Sequence, residues 1–327
     1  MTSLDVPRIE ATYLLPIRCA TPASDELTAY LEWLARRVEV IVVDGSPPAV
    51  FEAHQRAWGG TCRHVAPDDR LRSANGKAWG VNTGLRLASH ERVVIGDDDV
   101  RYDGPALERL CALLDVADVV RPQNYFAPAP WHARWDTSRT LLNRAAGGDW
   151  PGTLGVRRSL LPDGYDGDVL FENLELCRTV EAAGGRHLVA LDLYVRRLPP
   201  TARHFWSQRV RQAYDEFARP RRMAAQLASL PLALLLAASG RRRFVLGAAL
   251  ASMAIAEGGR RRSGGRRYFS PVASLLAPVW IAERAVCAWL ALGSRVRHGG
   301  VPYGGGVLAR AATPARVLGE RHARGAR

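Results

Sequence analysis

An α/β fold with an open, mostly parallel sheet is predicted by the alternation of strand and helix patterns along the chain. Apolar runs typical of buried strands occupy 12–19 and 38–43, and an amphipathic helix pattern occupies 25–37 between them. Parallel strands need such a crossover helix, so a strand–helix–strand unit indicates a parallel pair. Ligands of such sheets bind beyond the carboxyl ends of the strands. Acidic residues follow two strands there, at Asp44 and at 97–99.

The remaining elements continue the alternation as far as Pro220. The stretch 122–165 is aromatic-rich without a clear period, so we expect irregular structure that packs in the core or lines an acceptor site. We therefore predict one α/β domain over residues 1–220. Its other predicted elements are helices at 49–58, 77–89, 105–115, 170–183 and 203–219, and strands at 91–96, 117–121 and 187–195.

Composition restricts the class of protein. The chain has 327 residues, of which 47% are hydrophobic, so disorder throughout is excluded. Its five cysteines form no CxxC or CxxH pair, which argues against a zinc finger or a disulfide framework and fits a reducing compartment. The first residues, MTSLDVPRIE, contain acids and no apolar run, so no secretory signal peptide is expected.

Positive charge is concentrated in the C-terminal third. Residues 201–327 carry 22 basic and 5 acidic groups, whereas residues 1–200 carry 23 and 27. This asymmetry indicates an anionic partner. Membrane lipid is favoured over nucleic acid, because the arginines separate apolar runs without the interleaved aromatics of a base-stacking surface.

The apolar runs of residues 221–327 predict a membrane-associated helical region and tail. Uncharged runs lie at 223–240, 244–256, 268–282 and 285–294, and each is short for a spanning helix. We expect helices that lie in the bilayer face or re-enter it, with arginines at the headgroups. Pro231 interrupts the first run and would allow a reversal or a kink there. The alternative is a small buried helical domain.

Three consecutive aspartates, Asp97, Asp98 and Asp99, form the strongest local signal. They follow the strand VVIG, and carboxylates so close repel one another unless a cation neutralises them. Mg²⁺ or Mn²⁺ bound by one or two carboxylates and substrate phosphates is the usual solution. The alternative is a solvated acidic turn.

Two further segments suit a nucleotide. Asp44 ends the second strand, where a carboxylate can accept hydrogen bonds from a base or ribose, or simply cap the next turn. Asn75 and Gly76 form a turn before Lys77, the only lysine, which begins a helix. Amides at a helix start beside an ammonium group suit a pyrophosphate.

Taken together, these motifs resemble those of family 2 glycosyltransferases of the GT-A fold, over about residues 10–220. The tail RHGGVPYGGG also resembles that of membrane-attached members. The matching segments are VVDGS (42–46), NGKAWGVNTGL (75–85), GDDDVRY (96–102), GTLGVRRSLL (152–161), FENLEL (171–176) and QRVRQ (208–212).

The resemblance implies roles in donor and metal binding. Asp44 would contact the base or ribose. Asp97 and Asp99 would hold the metal, with Asp98 beside them. Gln208 and Arg211 match the family's QxxR element, while Gln212 replaces the tryptophan of processive synthases and favours transfer of a single sugar. His204 is a surface histidine or an additional metal or phosphate contact.

The catalytic base departs from the family pattern. The aspartate expected at the start of a helix is Asn173 here, and an amide has no carboxylate to accept a proton. Glu172 is the natural substitute, with Glu175 one turn further on and Asp168 just upstream as alternatives.

The sequence therefore predicts an inverting, metal-dependent glycosyltransferase on the cytoplasmic face of the cell membrane. It would move a sugar from a nucleotide-diphospho-sugar to a hydroxyl of a lipid-linked or other amphiphilic acceptor. Two alternatives stay open: a non-catalytic membrane-bound nucleotide-sugar sensor, which Asn173 favours, and a nucleotidyltransferase, which usually has a glycine-rich basic loop after strand one.

Overall fold

The computed structural model describes residues 8–325 and has a mixed eight-stranded sheet at its centre. The strands run in the order β3-β2-β1-β4-β7-β6-β8-β5. Their bounds are β1 Thr12–Ile17, β2 Glu39–Asp44, β3 Arg63–Val65, β4 Arg92–Gly96, β5 Val100–Arg101, β6 Val119–Phe126, β7 Thr153–Arg157 and β8 His187–Arg197.

The first half of the sheet is parallel, as the sequence predicts. β1 pairs in parallel with both β2 and β4, and β2 pairs in parallel with β3. β7 is antiparallel to both β4 and β6, β6 is parallel to β8, and β5 is antiparallel to β8. Since β2 and β4 flank β1 and run in the same direction, Asp44 and the aspartates after β4 lie at one edge of the sheet.

Helices cover both faces of the sheet, and their starts follow from local sequence. Ser24, Asn75 and Asp103 cap three of them through side-chain oxygens that accept backbone N–H groups. The seven helices of this part of the chain are α1 Asp25–Ala35, α2 Pro48–Trp58, α3 Gly76–Leu87, α4 Gly104–Leu113, α5 Trp131–Ala145, α6 Glu172–Ala182 and α7 Ala202–Tyr214.

The prediction of irregular structure over 122–165 is wrong. β6 continues to Phe126, α5 fills Trp131–Ala145, and β7 follows. The buried residues of α5 include Asp136, Asn143 and Arg144, so its inward face is polar and shows no apolar period. A short 3₁₀ turn, Asp215–Ala218, extends α7.

Five helices and a β-hairpin form the C-terminal part of the chain, as far as the described residues extend. They are α8 Pro220–Ala238, α9 Arg242–Arg261, α10 Pro271–Leu275 and α11 Ala277–His298, followed by β9 Val301–Tyr303, β10 Gly306–Leu308 and α12 Ala315–Gly325. The chain does not reverse at Pro231, because α8 continues through this residue, so the predicted interruption there is wrong.

The C-terminal helices pack directly on the α/β domain. Arg209 of α7 pairs with Asp136 of α5 at 2.8 Å and with Glu283 of α11 at 2.5 Å. Ser138 donates to the carbonyl of Ala273 at 2.8 Å. The buried side of these helices is therefore held by polar contacts as well as by apolar packing, such as that of Met223 and Ala288 on Tyr214 and its neighbours.

Their other side is rich in exposed apolar residues. Leu235 of α8 is 68% exposed and Leu246 of α9 is 62% exposed. Arg241–Arg243, between the two helices, are also exposed. Within residues 8–325, no helix is both long enough and apolar enough to span a membrane.

Candidate active site

The aspartate triplet forms a tight turn where β4 ends. The Asp97 N–H donates to the Gly152 carbonyl at 3.0 Å, and the Val100 N–H donates back to the Asp97 carbonyl at 3.1 Å. Gly152 lies so close that a Cβ there would collide with Asp97 Oδ2. The position therefore requires glycine for the carboxylate to keep its place.

Lys77 joins the triplet to the predicted base. Its Nζ lies 2.7 Å from Asp97 Oδ1 and 2.8 Å from Glu172 Oε1. Lys77 lies in the first turn of α3 and Glu172 in the first turn of α6, and both turns face the end of β4. An ammonium between two carboxylates offsets the repulsion between them in a partly enclosed site.

Glu172 is nearly enclosed, with 7% of its surface exposed. The Tyr165 hydroxyl donates a hydrogen bond to Glu172 Oε2 at 3.2 Å. The Asn82 side chain fixes Tyr165 by hydrogen bonds with its backbone N–H and carbonyl. Burial raises the pKa of Glu172, and Lys77 opposes that rise. A carboxylate with a raised pKa in a cavity suits general-base catalysis.

Asp99 has one paired and one free oxygen. Arg197 Nε donates to Asp99 Oδ2 at 2.8 Å, while Oδ1 is shielded from solvent and has no hydrogen-bond partner among the described residues. Burial and repulsion from Asp97 raise the pKa of Asp99, against the effect of Arg197. An orphaned carboxylate oxygen beside a second carboxylate fits a hard divalent cation. Asp98, between them in sequence, is exposed.

The two alternative base residues lie outside the cavity that Glu172 lines. Glu175 is completely buried, and its Oε2 accepts the Thr313 N–H at 2.6 Å. Asp168 accepts the Ala74 N–H at 2.9 Å and so fastens the loop before α3. Neither side chain lines the cavity, whereas Asn173 does.

Asp44 is enclosed rather than open to the edge of the sheet. Its Oδ2 lies 2.6 Å from His54 Nδ1 and 3.1 Å from His64 Nε2, and Oδ1 accepts the Ser46 N–H at 2.9 Å. Burial acts to raise the pKa of Asp44, but these hydrogen bonds outweigh it and hold the pKa well below its ordinary value. Its predicted contact with a base or ribose would require these bonds to rearrange.

The ligand atoms of Asp44, His54 and His64 lie within 4.8 Å of one another and are close enough to share a metal ion. The Ala23 N–H donates to His54 Nε2 at 2.9 Å, so the proton of that ring sits on Nδ1 and points at Asp44. A metal bound by His54 Nδ1 would have to displace that proton and break this bond. The oxygens of Asp97 and Asp99 therefore fit the predicted metal better.

The Asn75 side chain forms its hydrogen bonds with other groups of the protein. Its Oδ1 accepts the Lys77 N–H at 3.0 Å and the hydroxyl of Tyr303 at 3.0 Å, and its Nδ2 donates to the Val169 carbonyl at 2.9 Å. The structure thus places Asn75 as a helix cap that ties the C-terminal hairpin to the site. Tyr303 is a contribution that the sequence patterns did not reveal.

The QxxR residues line the cavity from α7. Arg211 donates to Gln208 Oε1, and its guanidinium lies 5.1 Å from the Tyr303 ring centre. Gln208 Nε2 lies 3.0 Å from His204 Nε2. His204 and Asp99 both line a smaller cleft that adjoins this cavity.

These groups surround a cavity of about 270 Å³ at the predicted edge of the sheet. It contains Asn75, Lys77, Asp97, Glu172, Gln208 and Arg211 from the sequence prediction. Its remaining charged lining was not predicted, because those residues come from segments distant in the chain. They are Arg139, Arg197, Asp215, Glu216, Arg219 and Arg284.

Comparison with known proteins agrees with this fold. Residues 24–171 match the family model described as glycosyl transferase family 2. No curated protein matches the chain significantly.

Among solved structures, a mannosyltransferase from Pyrobaculum calidifontis in complex with GDP-Man and Mn²⁺ is 19% identical, with a TM-score of 0.51, and the match covers 86% of this chain and 87% of that one. A mannosyl-3-phosphoglycerate synthase from Rubrobacter xylanophilus is 14% identical over 71% and 75% of the two chains, with a TM-score of 0.41. A fragment of TarS from S. aureus, in complex with UDP-GlcNAc, is 16% identical over 61% of each chain, with a TM-score of 0.43.

The fold is an α/β fold of the GT-A type, with an acidic cluster at one edge of its sheet. The family 2 glycosyltransferase model matches the segment from Ser24, which caps α1, to Phe171, which directly precedes α6. The predicted family resemblance is confirmed.

Proposed function

We propose that this enzyme transfers one sugar, with inversion and with a divalent metal, from a nucleotide-diphospho-sugar to an acceptor hydroxyl. The observation that carries the proposal is the joining of Asp97 and Glu172 by Lys77 in one cavity, beside the free oxygen of Asp99. A metal-binding carboxylate and a base on opposite sides of one cation place donor and acceptor within reach of each other. GDP-Man and UDP-GlcNAc, the ligands of the similar structures, are the first donors to test.

Asp97 and Asp99 would hold Mn²⁺ or Mg²⁺. Both offer carboxylate oxygens, which these ions prefer, and Asp99 Oδ1 has no other partner among the described residues. When bound, the ion neutralises charge on the diphosphate leaving group. Lys77 holds Asp97 at the cavity, and Arg197 holds Asp99 at the smaller adjoining cleft.

Glu172 would accept the proton of the attacking hydroxyl at Oε1 or Oε2. It is the carboxylate at the start of α6 that lines the cavity, while Glu175 faces the C-terminal tail. Lys77 opposes the rise in the pKa of Glu172 that burial causes, and Tyr165 fixes the orientation of this carboxylate. Asn173 follows Glu172, and its Nδ2 donates to the Pro151 carbonyl at 3.1 Å. Its amide therefore stabilises the backbone beside the cavity and does not act as a base.

The decisive experiment compares Glu172→Gln with Glu175→Gln. Glu172→Gln is expected to bind the donor normally and to transfer at least about 100-fold more slowly, the usual contribution of a general base. Glu175→Gln is the matched control, because the same change one helical turn away lies outside the cavity. Normal transfer by Glu172→Gln would remove it as the base.

The acceptor is proposed to be lipid-linked or amphiphilic, presented at the cytoplasmic face of the membrane where nucleotide-sugars are made. Support comes from the helices α8 and α9, whose facing ends expose Leu232, Leu234, Leu235, Phe244, Leu246 and Leu250. Arg241–Arg243 lie between these ends. Apolar side chains that enter the headgroup region, with arginines attracted to anionic lipid, are typical of interfacial helices.

Vesicle flotation tests this surface. The protein is expected to float with vesicles of phosphatidylcholine and phosphatidylglycerol more than with phosphatidylcholine alone. The double variant Leu235→Asp, Leu246→Asp should lose this binding. Val116→Asp should keep it, because Val116 is similarly exposed, at 58%, but lies outside the C-terminal helices. Equal flotation by all three proteins would contradict the proposed surface.

A further inference from the structure

A second group of charges lines the active-site cavity on the side built by the C-terminal elements. Arg219 precedes α8, and Trp280 and Arg284 lie on α11. We call these three residues the arginine wall. All three lie outside residues 24–171, the segment that matches the glycosyltransferase family.

Each residue of the wall has a shielded N–H without an acceptor among the described residues. These are Arg219 Nε, Arg284 Nε and the indole Nε1 of Trp280. Arg284 is 2% exposed and Trp280 is 6% exposed, so solvent does not replace the missing acceptors. Buried donors in folded proteins are almost always paired, and three unpaired donors in one cavity indicate a ligand that accepts hydrogen bonds.

The charges of the wall are also incompletely neutralised. Arg284 forms no ion pair within residues 8–325, and its guanidinium bonds only to the Arg209 carbonyl at 3.3 Å and to Gln212 Oε1 at 3.4 Å. Among the described residues, Arg219 forms an ion pair only with Glu216, at 2.8 Å. Burial lowers the pKa of Arg219 to about 10 and lowers that of Arg284. An anion between these side chains would offset that burial penalty.

One carboxyl group faces the wall without pairing with it. Asp215 Oδ1 is shielded and has no hydrogen-bond partner among the described residues. Burial raises the pKa of Asp215 to about 7, although Arg219, Arg284 and Arg211 all act to lower it. Near neutral pH this group is therefore partly protonated and leaves the positive charge of the wall available.

We propose that the arginine wall binds a phosphate group carried by the acceptor, and so positions the acceptor hydroxyl for Glu172. This inference rests on the proposed transferase function. The donor diphosphate belongs with Asp97 and Asp99 at the end of β4, whereas the wall comes from elements after α7 and lines the same cavity as Glu172. Guanidinium groups match the oxygens of a phosphate in geometry and charge.

Sulfate is a suitable probe, because it carries the tetrahedral oxyanion without titrating near neutral pH. The dissociation constant is measured by calorimetry at constant ionic strength, for the wild type and for Arg219→Gln. Loss of one charged hydrogen-bond donor should weaken sulfate binding about tenfold or more. Arg222→Gln is the matched control, because Arg222 contacts the same Glu216 at 3.4 Å but does not line the cavity.

Donor binding is measured on the same proteins with GDP or UDP and Mn²⁺, which separates this proposal from the proposed function. Arg219→Gln should keep nucleotide binding while losing sulfate binding. Parallel loss of both would place the wall in the donor site and overturn the proposal, as would sulfate binding that Arg219→Gln leaves unchanged. If no nucleotide binds to the wild type, the proposed function fails, whatever the sulfate result.

Competition then distinguishes the two sources of phosphate. Glycerol 3-phosphate represents a water-soluble acceptor, and decyl phosphate in detergent micelles represents a phosphorylated lipid. Displacement of sulfate by either compound supports the proposal, and preference for decyl phosphate assigns the lipid source. Failure of both compounds to displace sulfate would contradict an acceptor phosphate at the wall. Arg284→Lys gives a second variant that retains the charge but loses the planar donor, and it should also weaken sulfate binding.

Discussion

Asp215→Asn should make the protein more stable, and increasingly so as the pH rises. Burial raises the pKa of this carboxyl group from 3.8 to about 7, which corresponds to about 4 kcal/mol between the unfolded and folded states. A raised acid pKa contributes stability that is fully present below about pH 4, where both states are protonated, and that is lost as the pH rises through about 7. Asparagine removes this pH dependence.

The assay is urea unfolding of the wild type and Asp215→Asn at several pH values. The stability difference in favour of the variant should grow by about 2–3 kcal/mol between pH 5 and pH 8, the part of the total that falls in this window. Asp69→Asn is the control, because the Asp69 side chain is 82% exposed in a surface ion pair that contributes little. Parallel pH profiles for wild type and Asp215→Asn would refute the burial argument.

Two further predictions concern the acidic turn and its cation. Gly152→Ala should reduce metal-stimulated transfer more than it lowers the melting temperature, because the added Cβ displaces the Asp97 carboxylate. A Mn²⁺ titration of transfer activity measures this loss. A titration curve identical to that of the wild type would contradict it. Lys77→Met should lower kcat and move the acid limb of its pH profile upward, since Lys77 lowers the pKa of Glu172; an unmoved limb in a kcat–pH profile would show that Glu172 does not titrate in the reaction.

Much of the α/β domain follows from sequence, because its apolar periods are clear. The residues at β1, β2 and β4 are continuous buried runs, and the acids that follow them stand out at the sheet edge. Asn75 predicts the start of helix α3, and in the structure its side chain caps that helix by accepting the Lys77 N–H. Asp97 and Lys77 could therefore be found as candidates from the residue pattern, and Glu172 from the family resemblance, before their contacts were known.

Other parts could not be found in this way. α5 buries polar side chains such as Asp136 and Arg144, so the pattern of apolar residues that marks a surface helix is absent. The enclosure of Asp44 by His54 and His64 depends on the packing of α2 and β3 beside β2.

The arginine wall is equally invisible in sequence. It joins residues about 60 positions apart, a separation that only the tertiary fold closes. The predicted division of the chain at residue 220 stays a prediction, although the tail reaches back to Glu175 through the Thr313 N–H.

The central claim is that the cavity at the end of β4 is a metal-dependent glycosyl-transfer site, and Asp99→Asn tests it most directly. The measurement is Mn²⁺-dependent release of nucleoside diphosphate from a panel that includes GDP-Man and UDP-GlcNAc, with the melting temperature measured in parallel. Asp103→Asn is the control, because Asp103 caps α4 and asparagine can cap equally well. We expect release by the wild type and the control, and none by a folded Asp99→Asn. Full activity of Asp99→Asn would contradict the account.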